Sequence, residues 1–162
     1  MTEALLRDFR QPEYLHVLLN PLPIYGLAAG LLALFVALLL RNRQARIVGF
    51  IVVIVCSASA WPVHELGEQA YDSVLSMSDD QGQAWLKEHK ARADKLIPLF
   101  YVMAALSAAG LVASWKSDKL SFIAAILVLV LGLTTLGAGG YIAYAGGRIR
   151  HREFRNGPTL DP

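Results

Sequence analysis

A single cysteine, Cys56, occurs in the 162 residues. No disulfide can therefore form within the chain and no paired-thiolate site is available, so a lone sulfur inside an apolar run reads as a small packing residue. Charge is also scarce: 17% of residues are charged and the formal net charge is +2. That balance argues against nucleic-acid binding, because the basic residues flank apolar runs instead of forming a stripe. Serine and cysteine nucleophile motifs are missing, as are Walker and deaminase signatures. The run "GAGG" (137–140) follows an apolar helix and not a strand, which excludes a nucleotide loop. No catalytic motif is left, and a non-catalytic role is expected.

What is present is apolar. Hydrophobic residues make up 55% of the chain and the mean hydropathy is +0.43. They gather into four runs without charged side chains: 21–40, 47–63, 96–115 and 120–147. Each approaches the roughly 20 residues that span a bilayer core, and a soluble domain of this size has too little interior to cover four such helices. The fold class expected is all-α, an integral membrane four-helix bundle in one domain, 1–162. The first run is too long for a cleaved signal, and "RNRQAR" follows it where a small-residue cleavage site would stand.

The connections are unequal. Two are a few residues long, whereas "HELGEQAYDSVLSMSDDQGQAWLKEHKARADK" (64–95) separates the second and third runs. "SDDQ" (78–81) matches a capping box with Ser78 as cap. The spacing predicts that helices two and three extend into a protruding antiparallel hairpin turning near Met77 and Ser78. Pro62 removes an amide from an otherwise helical run and predicts a kink just before His64.

Four spans put both termini and the long loop on one side, so His16, His64, His89 and His151 share that side. His64 and Glu68, four apart, project from one helix face, with Glu65 and Asp72 extending an acidic ridge. Glu88, His89, Lys90 and Arg92 stand across the turn. A histidine and a carboxylate at this spacing, met by a histidine from a facing helix, is how helical bundles hold a metal. The other reading of the same residues is a solvated, salt-bridged hairpin.

Small residues recur at helical spacing: Gly26 with Gly30; Ala105, Ala109 and Ala113; Thr135, Gly139, Ala143 and Gly147. Such stripes let helices approach closely, or pack against a flat cofactor, and offer a route to oligomers. The last helix runs directly into Arg148, Arg150, Arg152 and Arg155. Basic residues flanking a span ordinarily anchor lipid headgroups. The sharper reading has Arg148 and Arg150 facing an anionic group such as a haem propionate, with His151 as an axial ligand. A conducting role is disfavoured, since the spans carry neither a midplane charge nor a broken helix.

"LNPLPIYG" (19–26), "LGEQAYD" (66–72), "KEHKARA" (87–93) and above all "GGRIRHREFR" (146–155) resemble a group of small bacterial four-helix membrane proteins. Those proteins carry a TGEPAEE-like, an EAHEEA-like and a terminal GGQIRHTEIR-like segment in this order. The likeness covers nearly the whole chain and singles out Gly67, Glu68, Ala70, Glu88, His89, Gly146, Gly147, Ile149, Arg150, His151 and Glu153. A more distant similarity is to bacterial membrane proteins whose first helix begins HPxxxHFPI, of which "LHVLLNPLPI" keeps one histidine, His16.

The resemblance implies a bacterial cytoplasmic membrane and brings no activity with it. Combined with the residue pattern, it leads to an expected b-type haem or transition-metal ion near one membrane interface. The expected haem contacts are His89, His151, Arg148 and Arg150; the expected metal ligands are His64, Glu68, His89 and His151. The role expected is an electron-transfer component with a membrane or periplasmic redox partner, the alternative being a cofactor-free accessory subunit of a larger complex. The dense basic residues in the short loops favour both termini on the periplasmic side.

Overall fold

The computed structural model describes residues 2–155, and every regular element among them is helical. In chain order these are α1 (Thr2–Asp8), α2 (Pro12–Leu19), a π turn (Leu22–Gly26), α3 (Leu27–Leu39), α4 (Arg43–Ala58), α5 (Ala60–Ser76), α6 (Asp80–Lys116), α7 (Asp118–Arg150) and a 3-10 turn (Arg152–Phe154). Pro12 opens α2, where its missing amide costs nothing. Pro21 and Pro23 then lie where α2 meets α3, and the chain passes them in a widened π turn instead of a regular helix. The expected kink ahead of His64 falls at Ser59, between α4 and α5, where the Ser59 hydroxyl donates to the Cys56 carbonyl at 2.6 Å.

Four stretches are long and apolar enough to cross a membrane: Pro12–Leu39, Arg43–Ser76, Asp80–Lys116 and Asp118–Arg150, of 28, 34, 37 and 33 residues. They exceed the expected apolar runs because polar, helix-forming residues prolong each helix at one end. The α5–α6 connection turns at Met77 to Asp79, as expected, but its cap differs. Asp79, not Ser78, accepts the Gly82 amide at 2.8 Å. The Ser78 hydroxyl instead donates back to the Val74 carbonyl and closes α5. A carboxylate one residue later fits the extended backbone of a cap, and the Gln83 side chain donates back across the turn to the Leu75 and Ser78 carbonyls.

α4 packs between α3 and α6, and α7 packs between α6 and α3, so α3 stands diagonal to α6 and α4 to α7. Leu27, Leu31, Leu34, Phe50, Val53, Phe100, Met103 and Val128 fill the centre. Glycine sets the spacing between neighbours: a Cβ on Gly30 would lie 2.8 Å from Val53 Cγ2, on Gly110 2.5 Å from Phe50 Cε1, and on Gly132 2.5 Å from Leu31 Cδ2. Close backbone approach replaces side-chain bulk at these contacts.

Part of the burial pattern recurs. Beyond the caps Asn42 and Ser117, Arg46, Phe50, Val53, Ser57 and Ala60 on α4–α5 and Ser121, Ala125, Val128, Gly132 and Thr135 on α7 are buried at the same distances from their caps. Other buried positions, such as Gly49 and Cys56 on α4 and Gly139 on α7, do not follow this match.

The short-loop end of the bundle is closed by a polar staple. The fully buried Arg46 donates Nε to Ser121 Oγ at 3.1 Å and pairs with the Asp118 carboxylate. Ser121 and Ser114 hydroxyls meet at 2.8 Å, Ser114 donates onward to the Gly110 carbonyl, and Arg43 Nε donates to the Ser114 carbonyl at 2.6 Å. A buried guanidinium is tolerated here because its donors have partners.

Gly30→Leu is expected to force α3 and α4 apart and to lower stability by about 1–3 kcal/mol, the usual cost of overpacking a filled core. Gly137→Leu, where a Cβ meets nothing within 4 Å, should leave the thermal midpoint in detergent unchanged. Equal effects at the two positions would show that the glycine contacts do not set helix spacing.

Candidate cofactor site

At the end opposite the staple, α2, α5, α6 and α7 enclose a cavity of about 310 Å³. Its wall is mainly apolar, with Ile24, Val63, Leu86, Ile97, Phe100 and Ile142 among its residues. Three of the four histidines line it: His16 from α2, His64 from α5 and His89 from α6.

His16 Nδ1 lies 2.8 Å from the Val63 carbonyl and His89 Nδ1 lies 3.0 Å from the Ile142 carbonyl. A carbonyl only accepts, so in each ring Nδ1 carries the proton and donates it. Nε2 is then the nitrogen with the free lone pair. The same local device presents both rings. Four residues beyond each acceptor stands a glycine, and a Cβ there would crowd the ring: on Gly67 it would lie 3.0 Å from His16 Cε1, and on Gly146 3.1 Å from His89 Cε1. The ring centroids are 6.4 Å apart with planes crossed at 88°.

A second cluster adjoins the first. His64, Glu68 and Asp94 each present a ligand atom, all within 4.8 Å of one another, a set able to coordinate a metal ion. His64 Nε2 lies 3.7 Å from Asp94 Oδ1, while the Lys90 ammonium donates to the Glu68 carboxylate and lies 3.5 Å from Asp94 Oδ2. These pairs fix the register of α5 on α6, residue 64 level with 94 and 68 level with 90. Lys90, paired with both carboxylates, is a built-in competitor for any ion that would bind there.

The expected site residues are therefore distributed over separate places. His64 and Glu68 come together as expected, joined by Asp94. In this register His89 stands level with residue 69 and not with His64, and it bonds to the Ile142 carbonyl of α7 beside His16. His151 is on the outside: its side chain is 57% exposed, its Nδ1 pairs with Glu153 Oε1 at 2.9 Å and its ring leans on Phe154. Burial pressure is missing there, and the ring follows its local carboxylate. Arg150 lines the cavity and reaches Met77 Sδ at 3.7 Å. Arg148 faces away, stacked 3.5 Å over the Tyr144 ring and beside Trp85. His16, set aside by the sequence pattern, is the functional candidate that reading missed. Its signals were the helix opened by Pro12 and the two glycines that match imidazole positions.

The arginine tail has a structural purpose. The Arg155 side chain, 7% exposed, donates to the carbonyls of Arg148 and Ile149 at the end of α7 and forks onto Asp79 at 2.7 and 2.9 Å. Asp79 thus caps α6 and anchors the end of α7 at once. The Gly82 amide, then the Arg155 guanidinium, hold the Asp79 carboxyl below the usual aspartate range. Glu153 is likewise lowered, by its own backbone amide and then by His151.

Comparison with known proteins finds no family model, curated protein or solved structure that matches this chain.

Because the folded-state pKa of Asp79 is depressed, its contribution is complete above the unfolded aspartate pKa of about 3.9 and is lost as pH falls through the lower folded value. The thermal midpoint, followed by circular dichroism, is expected to drop in that acid range. Asp79→Asn, which keeps a capping oxygen but loses the ion pair, should start lower at neutral pH and show a shallower acid drop. An unchanged acid profile in this variant would remove Asp79 from the account.

Proposed function

We propose that this chain is a membrane-embedded electron-transfer component that holds a redox-active metal cofactor between His16 and His89. The observation that carries the reading is the pair of imidazoles in one apolar cavity, each with its Nδ1–H bound to a helix carbonyl and its Nε2 left free. An Nδ1–H donated to a carbonyl fixes the tautomer, holds the ring orientation and raises the basicity of the other nitrogen, which is the arrangement that metal-ligating histidines use. A bound transition-metal centre would supply one-electron exchange. The chain supplies the ligands, a dry wall of Ile97, Phe100 and Ile142 that limits water, and cationic Lys90 and Arg150 that balance negative charge.

Membrane insertion is supported by the four long apolar helices and by the distribution of ionisable groups, which collect at the cavity end and at the staple and leave the intervening lengths apolar. In a four-span arrangement the α5–α6 turn shares a side with Thr2 and Arg155. Arg41, Arg43, Arg46, Lys116 and Lys119 crowd the opposite end, which supports a cytoplasmic position for the short turns in a bacterial inner membrane and a periplasmic one for the cavity. The redox partner is accordingly proposed to lie in the membrane or the periplasm. The geometry of His64, Glu68 and Asp94 favours a second reading, in which a transition ion binds at that cluster after displacing Lys90.

Protein purified in mild detergent should carry a stoichiometric metal cofactor by elemental analysis and absorption. His16→Ala and His89→Ala should each lose most of it, about tenfold or more, as for removal of groups that bind or orient a metal, and His151→Ala should retain it. Metal lost in His64→Ala but kept in His16→Ala and His89→Ala would move the site to the second cluster. A colourless, metal-free protein would refute the proposal.

A further inference from the structure

We infer that the cofactor is a b-type haem, with His16 and His89 as its two axial ligands, one from α2 and one from α6. This narrows the metal-cofactor reading above and depends on it.

The spacing of the rings discriminates between metal geometries. With a metal–nitrogen bond of about 2.0–2.1 Å and roughly 1 Å more to each ring centre, two imidazoles on opposite sides of one metal have centroids about 6–6.5 Å apart, whereas two on a tetrahedral ion are about 5 Å apart. The observed 6.4 Å matches the opposed arrangement, which axial ligation requires.

The room and the donors agree with this. A bare ion with a bound water needs only a few tens of Å³, while the 310 Å³ here enters the range of cavities that hold whole organic cofactors, about 300–1,000 Å³. An ion held by two imidazoles would also need further protein donors. Of the other donors on the cavity wall, Glu68 is engaged by Lys90 and His64 is turned to Asp94. A haem brings four equatorial nitrogens of its own and asks the protein for two. Its carboxylates need cationic or amide partners, and Asn20 and Arg150 lie along the cavity wall.

The way each ring is held points the same way. His16 on α2 bonds the carbonyl four residues before Gly67 on α5; His89 on α6 bonds the carbonyl four residues before Gly146 on α7. Each helical pair thus supplies one histidine, one orienting carbonyl and one glycine clearance, in the same order. A flat group with like coordination on its two faces is the ligand that such a site accommodates.

The test uses the full-length protein in mild detergent, expressed with a haem precursor and assayed by pyridine haemochrome, iron content, visible spectroscopy and electron paramagnetic resonance. The expected result is one haem b per chain, six-coordinate and low-spin when ferric. Because the ring planes are crossed at 88°, the resonance should be the large-g low-spin signal of perpendicular imidazoles and not the rhombic signal of parallel ones. His16→Ala and His89→Ala should each lose the low-spin spectrum, and added imidazole should restore it, which separates a missing ligand from a misfolded chain.

Haem that stays low-spin in either variant, or a parallel-plane signal in the wild type, would overturn the ligand assignment. Stoichiometric metal without haem would overturn the inference and leave the metal-cofactor reading standing. Neither metal nor haem would overturn both.

Discussion

A carbonyl within an α-helix already accepts the amide four residues on, and its second lone pair is reachable only by a donor that can slide past the neighbouring side chains. Val63 and Ile142 use that second lone pair to hold an imidazole each, and both can do so because the residue one turn further is glycine. The constraint is steric before it is electrostatic. A methyl group at Gly67 or Gly146 would lie about 3 Å from ring atoms, tighter than ordinary contact, and would turn the ring away. Once the two rings are seated, their protonation pattern is settled by the carbonyls, and two free Nε2 atoms remain in one apolar space.

The rest of the bundle can be understood as what keeps those two helical pairs at fixed separation. Glycine contacts at Gly30, Gly110 and Gly132 bring the backbones of neighbouring helices together at mid-length. The Arg46–Asp118–Ser121–Ser114 staple ties the short-loop end. The α5–α6 end is tied by Lys90 with Glu68 and by Arg155, which joins the last turn of α7 to the cap of α6. The long π turn after α2 lets the His16 helix leave the line of α3 and lie against α5, where Val63 is. Each of these is a local exception to a plain apolar helix, and each bears on the position of one of the two histidines.

Much of this was legible in the sequence. Four uncharged apolar runs, the short and long connections, the turn at Met77 and the break before His64 are local properties of composition and of residues such as Pro62 and Asp79. The pairing of His64 with Glu68 also follows from helical spacing alone. The capping residue was displaced by one position, because serine and aspartate both cap well and only the path of the turn chooses between them. The role of the terminal arginines was only half visible: Arg150 reaches the cavity, but Arg148 finds aromatic rings and Arg155 finds carbonyls and Asp79, partners that lie far away in the chain.

Which histidines face one another was decided by tertiary structure. Successive residues on an α-helix point about 100° apart, so whether His89 or Lys90 faces α5 depends on the rotation of α6, and that is set by how its whole length packs against α4 and α7. His16 meets His89 across a separation of 73 in residue number, through two carbonyls and two glycines on two other helices, and no local pattern encodes that convergence. Composition and periodicity therefore determined the number of helices, their lengths and the end of the bundle where polar chemistry gathers. The packing of helices distant in sequence determined the site, because a ligand position is a direction in space and only the assembled bundle fixes directions.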